Sequence, residues 1–85
     1  MYLKYFADYD DSLPVIAGFV DCSYGNDTCP SIYSASLGIT IYCDYANPAK
    51  RECCGERYSV SNDNGEILLS TDNLQVVRDL IAAKS

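Results

Sequence analysis

Between Tyr33 and Tyr45 apolar and polar residues alternate without a break. Tyr33, Ala35, Leu37, Ile39, Ile41, Cys43 and Tyr45 fall on one side, and Ser34, Ser36, Gly38, Thr40, Tyr42 and Asp44 on the other. A period of two predicts a half-buried β-strand, with Gly38 marking a bulge that bends so long a run. A helix over Ser31–Leu37 capped by Gly38 is the competing reading. A second pattern lies at the C-terminus. Leu74, Val77, Leu80 and Ile81 recur at helical spacing behind the capping oxygens of Ser70-Thr71-Asp72-Asn73, which predicts a helix from about Asn73 to Ala83. A helix of about three turns is not stable alone, so its apolar stripe must dock on a sheet.

Arg57–Ser61 and Glu66–Ser70 flank Asn62-Asp63-Asn64-Gly65, a hairpin turn built from residues that tolerate positive φ. Read as a calcium loop with Gly65 sixth, the segment would start at Val60, which offers no acidic ligand. Val15–Cys22 reads as a further strand and Tyr2–Asp8 as another, paired through Tyr9–Pro14. The competing reading is a helix capped by Asp10-Asp11-Ser12 that runs to Val20. The expected fold is α+β: one domain over residues 1–85, an antiparallel sheet of about five strands, and one C-terminal helix packed on one face. Little chain remains to cover the other face.

The chain is 85 residues long, with twelve Asp and Glu against six Lys and Arg, a net charge of −6. Direct nucleic-acid binding is disfavoured, because phosphates are neutralised by lysine and arginine. Histidine is absent, so Ser-His-Asp, Cys-His and His-metal chemistry cannot arise within the chain. No apolar run approaches the ~18–20 residues of a membrane span, and the N-terminus lacks the pattern of a signal peptide. A cytoplasmic protein is expected, and the Asn26-Asp27-Thr28 sequon carries no weight there.

Five cysteines remain: Cys22, Cys29, Cys43, Cys53 and Cys54. Reduced, buried thiols are the plain reading. Cys22, Cys29, Cys43 and Cys53 are the alternative zinc set, although their spacing matches no zinc knuckle, ribbon or finger. Under oxidation Cys22 and Cys29 would close the loop between them, with Cys43 paired to Cys53 or Cys54. Asp8, Asp10 and Asp11 form a carboxylate cluster, as do Asp21 and Asp27, but so small a chain has little volume for a catalytic cleft. No enzyme and no cofactor are expected.

The favoured feature is the acidic, tyrosine-rich surface. Residues 1–49 hold six acids against one base, and residues 50–85 hold six against five. Seven of the eight tyrosines also lie in the first part, and they interleave with the acids. Tyrosine gives rigid contact area with a polar tip, and carboxylates complement arginine. The candidate partner-binding residues are Asp8, Tyr9, Asp10 and Asp11, with Tyr24, Asp27, Tyr42 and Asp44 as secondary contacts. Tyr33 and Tyr45 are expected in the core.

Small size, acidity, the lack of a catalytic set and a sheet-plus-helix plan together resemble the phage-encoded inhibitor proteins, anti-CRISPR proteins among them. The resemblance is one of overall character and carries no motif. It implies a stoichiometric blocker in the bacterial cytoplasm that covers the nucleic-acid-binding surface of a host complex, such as a CRISPR-type effector, in the manner of a nucleic-acid mimic. The alternatives are a small zinc-binding module and an assembly or antitoxin-type subunit, self-associating or paired with another chain.

Overall fold

The computed structural model describes Tyr9 and residues 13–23, 29–47, 49 and 56–84. These form five strands and a helix: β1 (Val20–Asp21), β2 (Ser31–Ser34), β3 (Ile39–Cys43), β4 (Tyr58–Asn62), β5 (Ile67–Thr71) and α1 (Leu74–Lys84). The strands pair antiparallel in chain order, β1-β2-β3-β4-β5. The expected α+β plan is present, with the helix packed against one face.

α1 starts where its cap predicts. The Asn73 Oδ1 accepts the Gln75 N–H at 2.9 Å, one of the donors that a helix start leaves unpaired. Its buried side chains, Val77 and Ile81, join Ile32, Ile39, Ile41, Cys43, Tyr58 and Val60 in one core. Leu13, Ile16, Phe19, Leu37, Leu69, Leu74 and Leu80 pack around them. The β4–β5 hairpin also lies where the turn residues put it. The Asn62 side chain accepts the N–H groups of Asn64 and Glu66, and Gly65 takes a φ of +83°.

The long strand Tyr33–Tyr45 is not one strand, nor is Ser31–Leu37 a helix. The chain reverses at residues 35–38, making β2 and β3 a hairpin in which Ser34 faces Ile39 and Ile32 faces Ile41. The Ser34 carbonyl accepts the Gly38 N–H at 2.8 Å, and its hydroxyl accepts the Leu37 N–H at 3.3 Å. Gly38 closes the turn at a φ of +65°, and a Cβ there would stand 2.9 Å from the Asp63 carboxylate. An alternating pattern passes through a turn unmarked, because it records side-chain polarity and not chain direction. The reversal changes which β2 residues face inward. Ile32 and Ser34 share a face with Ile39 and Ile41, whereas Tyr33 lies with Thr40 on the opposite face.

Val15–Cys22 contributes only β1, and the helix alternative ending at Val20 is not formed. The Ile16 carbonyl accepts the Phe19 N–H at 3.0 Å across a turn in which Gly18 has a φ of +86°. This turn drops Leu13, Ile16 and Phe19 onto the core as a loop. The strand expected at Tyr2–Asp8 lies outside the described residues.

Candidate functional site

Cross-strand register defines the face of the sheet opposite α1. One row runs Val20, Tyr33, Thr40, Ser61, Ile67, and the next runs Ser31, Tyr42, Ser59, Ser70. Directly opposed residues on neighbouring strands share a face, so these rows are contiguous, and all but Ser31, which Cys22 and Ser23 cover, reach solvent. Small hydroxyl side chains line β4 and part of β5, Val20 and Ile67 stand on the two edge strands, and Tyr42 rises from the central strand. Val20 is 65% exposed, Ile67 68% and Tyr42 36%. Leu68 is the extra residue where β5 bulges against β4, and it too is exposed. The result is an open groove of about 570 Å³ with Tyr42, Ser59, Ser61, Ile67 and Ser70 along it, and Asp44, Glu56 and Arg57 among its polar lining.

Arg57 organises the charged end. It half-buries itself between β3 and β4, where its carbonyl accepts the Asp44 N–H at 2.7 Å and its Nε donates to the Asp44 carbonyl at 3.1 Å. Its Nη2 donates to the Tyr9 hydroxyl at 3.3 Å, and its guanidinium carbon sits 5.1 Å from the centre of the Tyr58 ring, a cation–π distance. The Arg57 N–H donates to the Asp72 carboxylate just before α1, at 2.7 Å. One side chain and its backbone thereby tie β3, β4, the helix entry and Tyr9 together.

Tyr9 is not the exposed contact that its acidic neighbours suggested. It is buried at 8% exposure, with its ring centroid 5.2 Å from that of Tyr45, and its hydroxyl lies within donating distance of the Cys43 and Asp44 carbonyls, at 3.0 and 3.1 Å. Burial raises its hydroxyl well above the usual tyrosine range, against the pull of Arg57. The ring closes the end of β3. Tyr33 is corrected in the other direction. It lies half-buried on the open face, its hydroxyl donating to Asp63 at 3.4 Å, and the Asp63 negative charge is the main reason its pKa rises. Tyr45 is in the core as expected.

Tyr42 and Asp44 therefore belong to the groove, Tyr42 through its exposed ring and Asp44 half-buried with its carboxylate accepting the Tyr45 N–H at 2.8 Å. Asp8, Asp10, Asp11, Tyr24 and Asp27 lie outside the described residues. Arg57, Ser59, Ser61, Ile67 and Ser70 were not singled out from the sequence. The serines carry a signal all the same: they are the polar positions of two strands whose alternate residues, Tyr58, Val60 and Leu69, point inward. Arg57 carries none, since its partners come from segments far away in the chain.

Cys22, Cys29 and Cys43 are thiols outside any disulfide. Cys29 and Cys43 are buried, and the Cys22 sulfur lies 3.3 Å from the Ser31 hydroxyl. Burial, reinforced by Cys29, pushes the Cys43 thiol up to about 12. Among the described residues no three Cys, Asp or Glu side chains are grouped to hold a metal; Cys53 and Cys54 lie outside them. Among the described residues, too, no helix is long and apolar enough to cross a membrane. Comparison with protein-family models, with curated proteins and with solved structures found no match.

Proposed function

We propose that this chain is a non-enzymatic protein-binding inhibitor, acting in a bacterial cytoplasm, that covers a basic nucleic-acid-binding surface on a partner complex. The observation that supports this reading is the open sheet face. It exposes Val20 and Ile67 on its edge strands and Tyr42 on its central strand, among small hydroxyls, on a chain whose net charge is −6. A rigid aromatic anchor and an apolar side chain lining one groove, with Asp44 and Glu56 also in its lining, suit a contact that combines apolar burial with pairing to arginine or lysine. The charge of the whole chain steers approach to a positive surface and slows as salt screens it. A phage inhibitor of the anti-CRISPR kind fits this description, with the acids standing where phosphates would lie.

The test is capture from bacterial lysate on the tagged full chain, followed by addition of the chain to the purified partner. The expected partner is a basic nucleic-acid-handling complex that salt releases and whose nucleic-acid binding is lost at a one-to-one ratio. Tyr42→Ala should weaken the complex by about tenfold or more while leaving the fold intact. A partner that keeps its nucleic acid, or one indifferent to Tyr42, would remove this reading. Elemental analysis of the purified chain decides the competing zinc module: stoichiometric zinc would favour it.

A further inference from the structure

We infer that β5 is a strand-addition site, at which the partner pairs an extended segment with basic residues at both ends of a neutral core. This deepens the protein-binding reading and rests on it, naming the mode of contact and the chemistry of the segment.

β5 is the last strand of the sheet, and among the described residues only β4 pairs with it. Which of its groups point outward follows from the hydrogen bonds that frame β4. Asp44 donates to the Arg57 carbonyl on the β3 side, and Asn62 donates to the Glu66 carbonyl on the β5 side. Antiparallel strands alternate in direction residue by residue, so Tyr58 and Val60 also bond toward β5. Their partners Thr71 and Leu69 point in, and Ser70 between them presents its N–H and C=O outward. Ile67 faces Ser61, whose groups turn toward β3, so it presents outward as well.

Besides a bulge, which β5 has at Leu68, such an edge is ordinarily blunted by lysine or proline. Ile67-Leu68-Leu69-Ser70-Thr71 contains neither and carries no charge at all. Charge sits only at its ends, as Glu66 and Asp72. That arrangement selects the occupant. A second copy of β5 paired antiparallel about Leu69 would set Glu66 of each chain toward Asp72 of the other, on molecules that each carry −6. The bulge at Leu68 twists the edge further, which a flexible segment can follow and a second rigid sheet cannot. A segment with lysine or arginine at both ends meets acids at both ends. Its alternate side chains would then lie beside Ile67, extending the groove that Ile67 and Ser70 already line.

The probe is the synthetic peptide Lys-Val-Thr-Val-Thr-Val-Lys, titrated into the full chain and followed by amide chemical shifts and hydrogen exchange. The control is Glu-Val-Thr-Val-Thr-Val-Glu. The expected result is a shift and slowed exchange at the Ser70 amide. Affinity should fall about tenfold between roughly 50 and 500 mM salt, and at low salt the control should bind at least about tenfold more weakly. Ser70→Pro removes the outward N–H at a position where an edge strand tolerates proline, and should abolish binding with the thermal midpoint nearly kept. Should that variant fail to fold, Glu66→Lys provides the second test, by raising affinity for the glutamate-flanked peptide. Absence of any β5 shift at about 1 mM peptide would overturn the inference. So would shifts confined to the Tyr42 face, or a dimer of the free chain that Ser70→Pro dissolves. A captured partner lost with Tyr42→Ala but retained by Ser70→Pro would overturn strand addition and leave the binding reading standing.

Discussion

The central row of the helix-covered face runs Ile32, Ile41, Val60, Leu69, and its first three members are 3% exposed or less. One position further along the same strands, two on β5 where Leu68 bulges, the open face runs Tyr33, Thr40, Ser61, Ile67, ending in a side chain that is 68% exposed. Both rows are made by the same hydrogen-bonded backbone, so the backbone does not distinguish them. What differs is whether a layer lies above. α1 brings Val77 and Ile81 onto the first row and removes it from water, the main favourable term in folding. The open face keeps polar atoms where, among the described residues, no helix is laid down, and its exposed apolar side chains are Val20, Tyr42 and Ile67. The covered face supplies the core, and the open face is the one on which the binding proposal rests.

Mutation of the covered face should give the largest effect. Ile41→Ala or Val60→Ala removes a side chain with no exposure and leaves a cavity beside α1, with an expected loss of about 2–4 kcal/mol in chemical denaturation. Losses under ~1 kcal/mol would mean that the helix does not seal this face. The second effect depends on pH. The Cys43 thiol has an ordinary pKa of 9.0 and is raised to about 12 in the fold, so the folded state holds its proton longer than the unfolded state does. Its contribution is fully present below 9 and is lost as pH rises from there toward 12, with a slope of up to about 1.4 kcal/mol per pH unit. The raised Tyr9 hydroxyl acts with the same sign at higher pH. Denaturation series on either side of pH 9 should show this slope, and Cys43→Ala should flatten it.

Arg57→Ala comes next, at about 1–3 kcal/mol, because it strips charged donors from the Asp44 carbonyl and the Tyr9 hydroxyl. Tyr9→Phe keeps the ring tilted against Tyr45 and loses only the hydroxyl, for about 1 kcal/mol. The smallest effect sharpens the contrast most. Val20→Ser and Ile67→Ser on the open face should change stability by no more than about 0.5 kcal/mol, while Ile67→Ser weakens partner binding. A large stability loss from Ile67→Ser would show that the open face is structural.

Legibility in the sequence followed the range of the interaction. α1 and the β4–β5 hairpin were readable, since a cap, a helical period and an Asn-Gly turn act within a few residues. The β2–β3 turn was misread because Ser34, Leu37 and Gly38 close it without disturbing the alternation around them. Tyr9 was misplaced for a different reason. Its acidic neighbours suggested the surface, while its partners Cys43, Asp44, Tyr45 and Arg57 lie more than thirty residues away.

Sequence alone determined the α+β class, the C-terminal helix, the acidic charge and the absence of histidine chemistry. Each follows from composition or from periodicities that repeat within one element. The tertiary structure decided which side of each strand is inward, which tyrosines are buried, and that Arg57 joins the ends of β3 and β4. Those outcomes depend on strand register and chain reversal, and register becomes definite only when the strands meet.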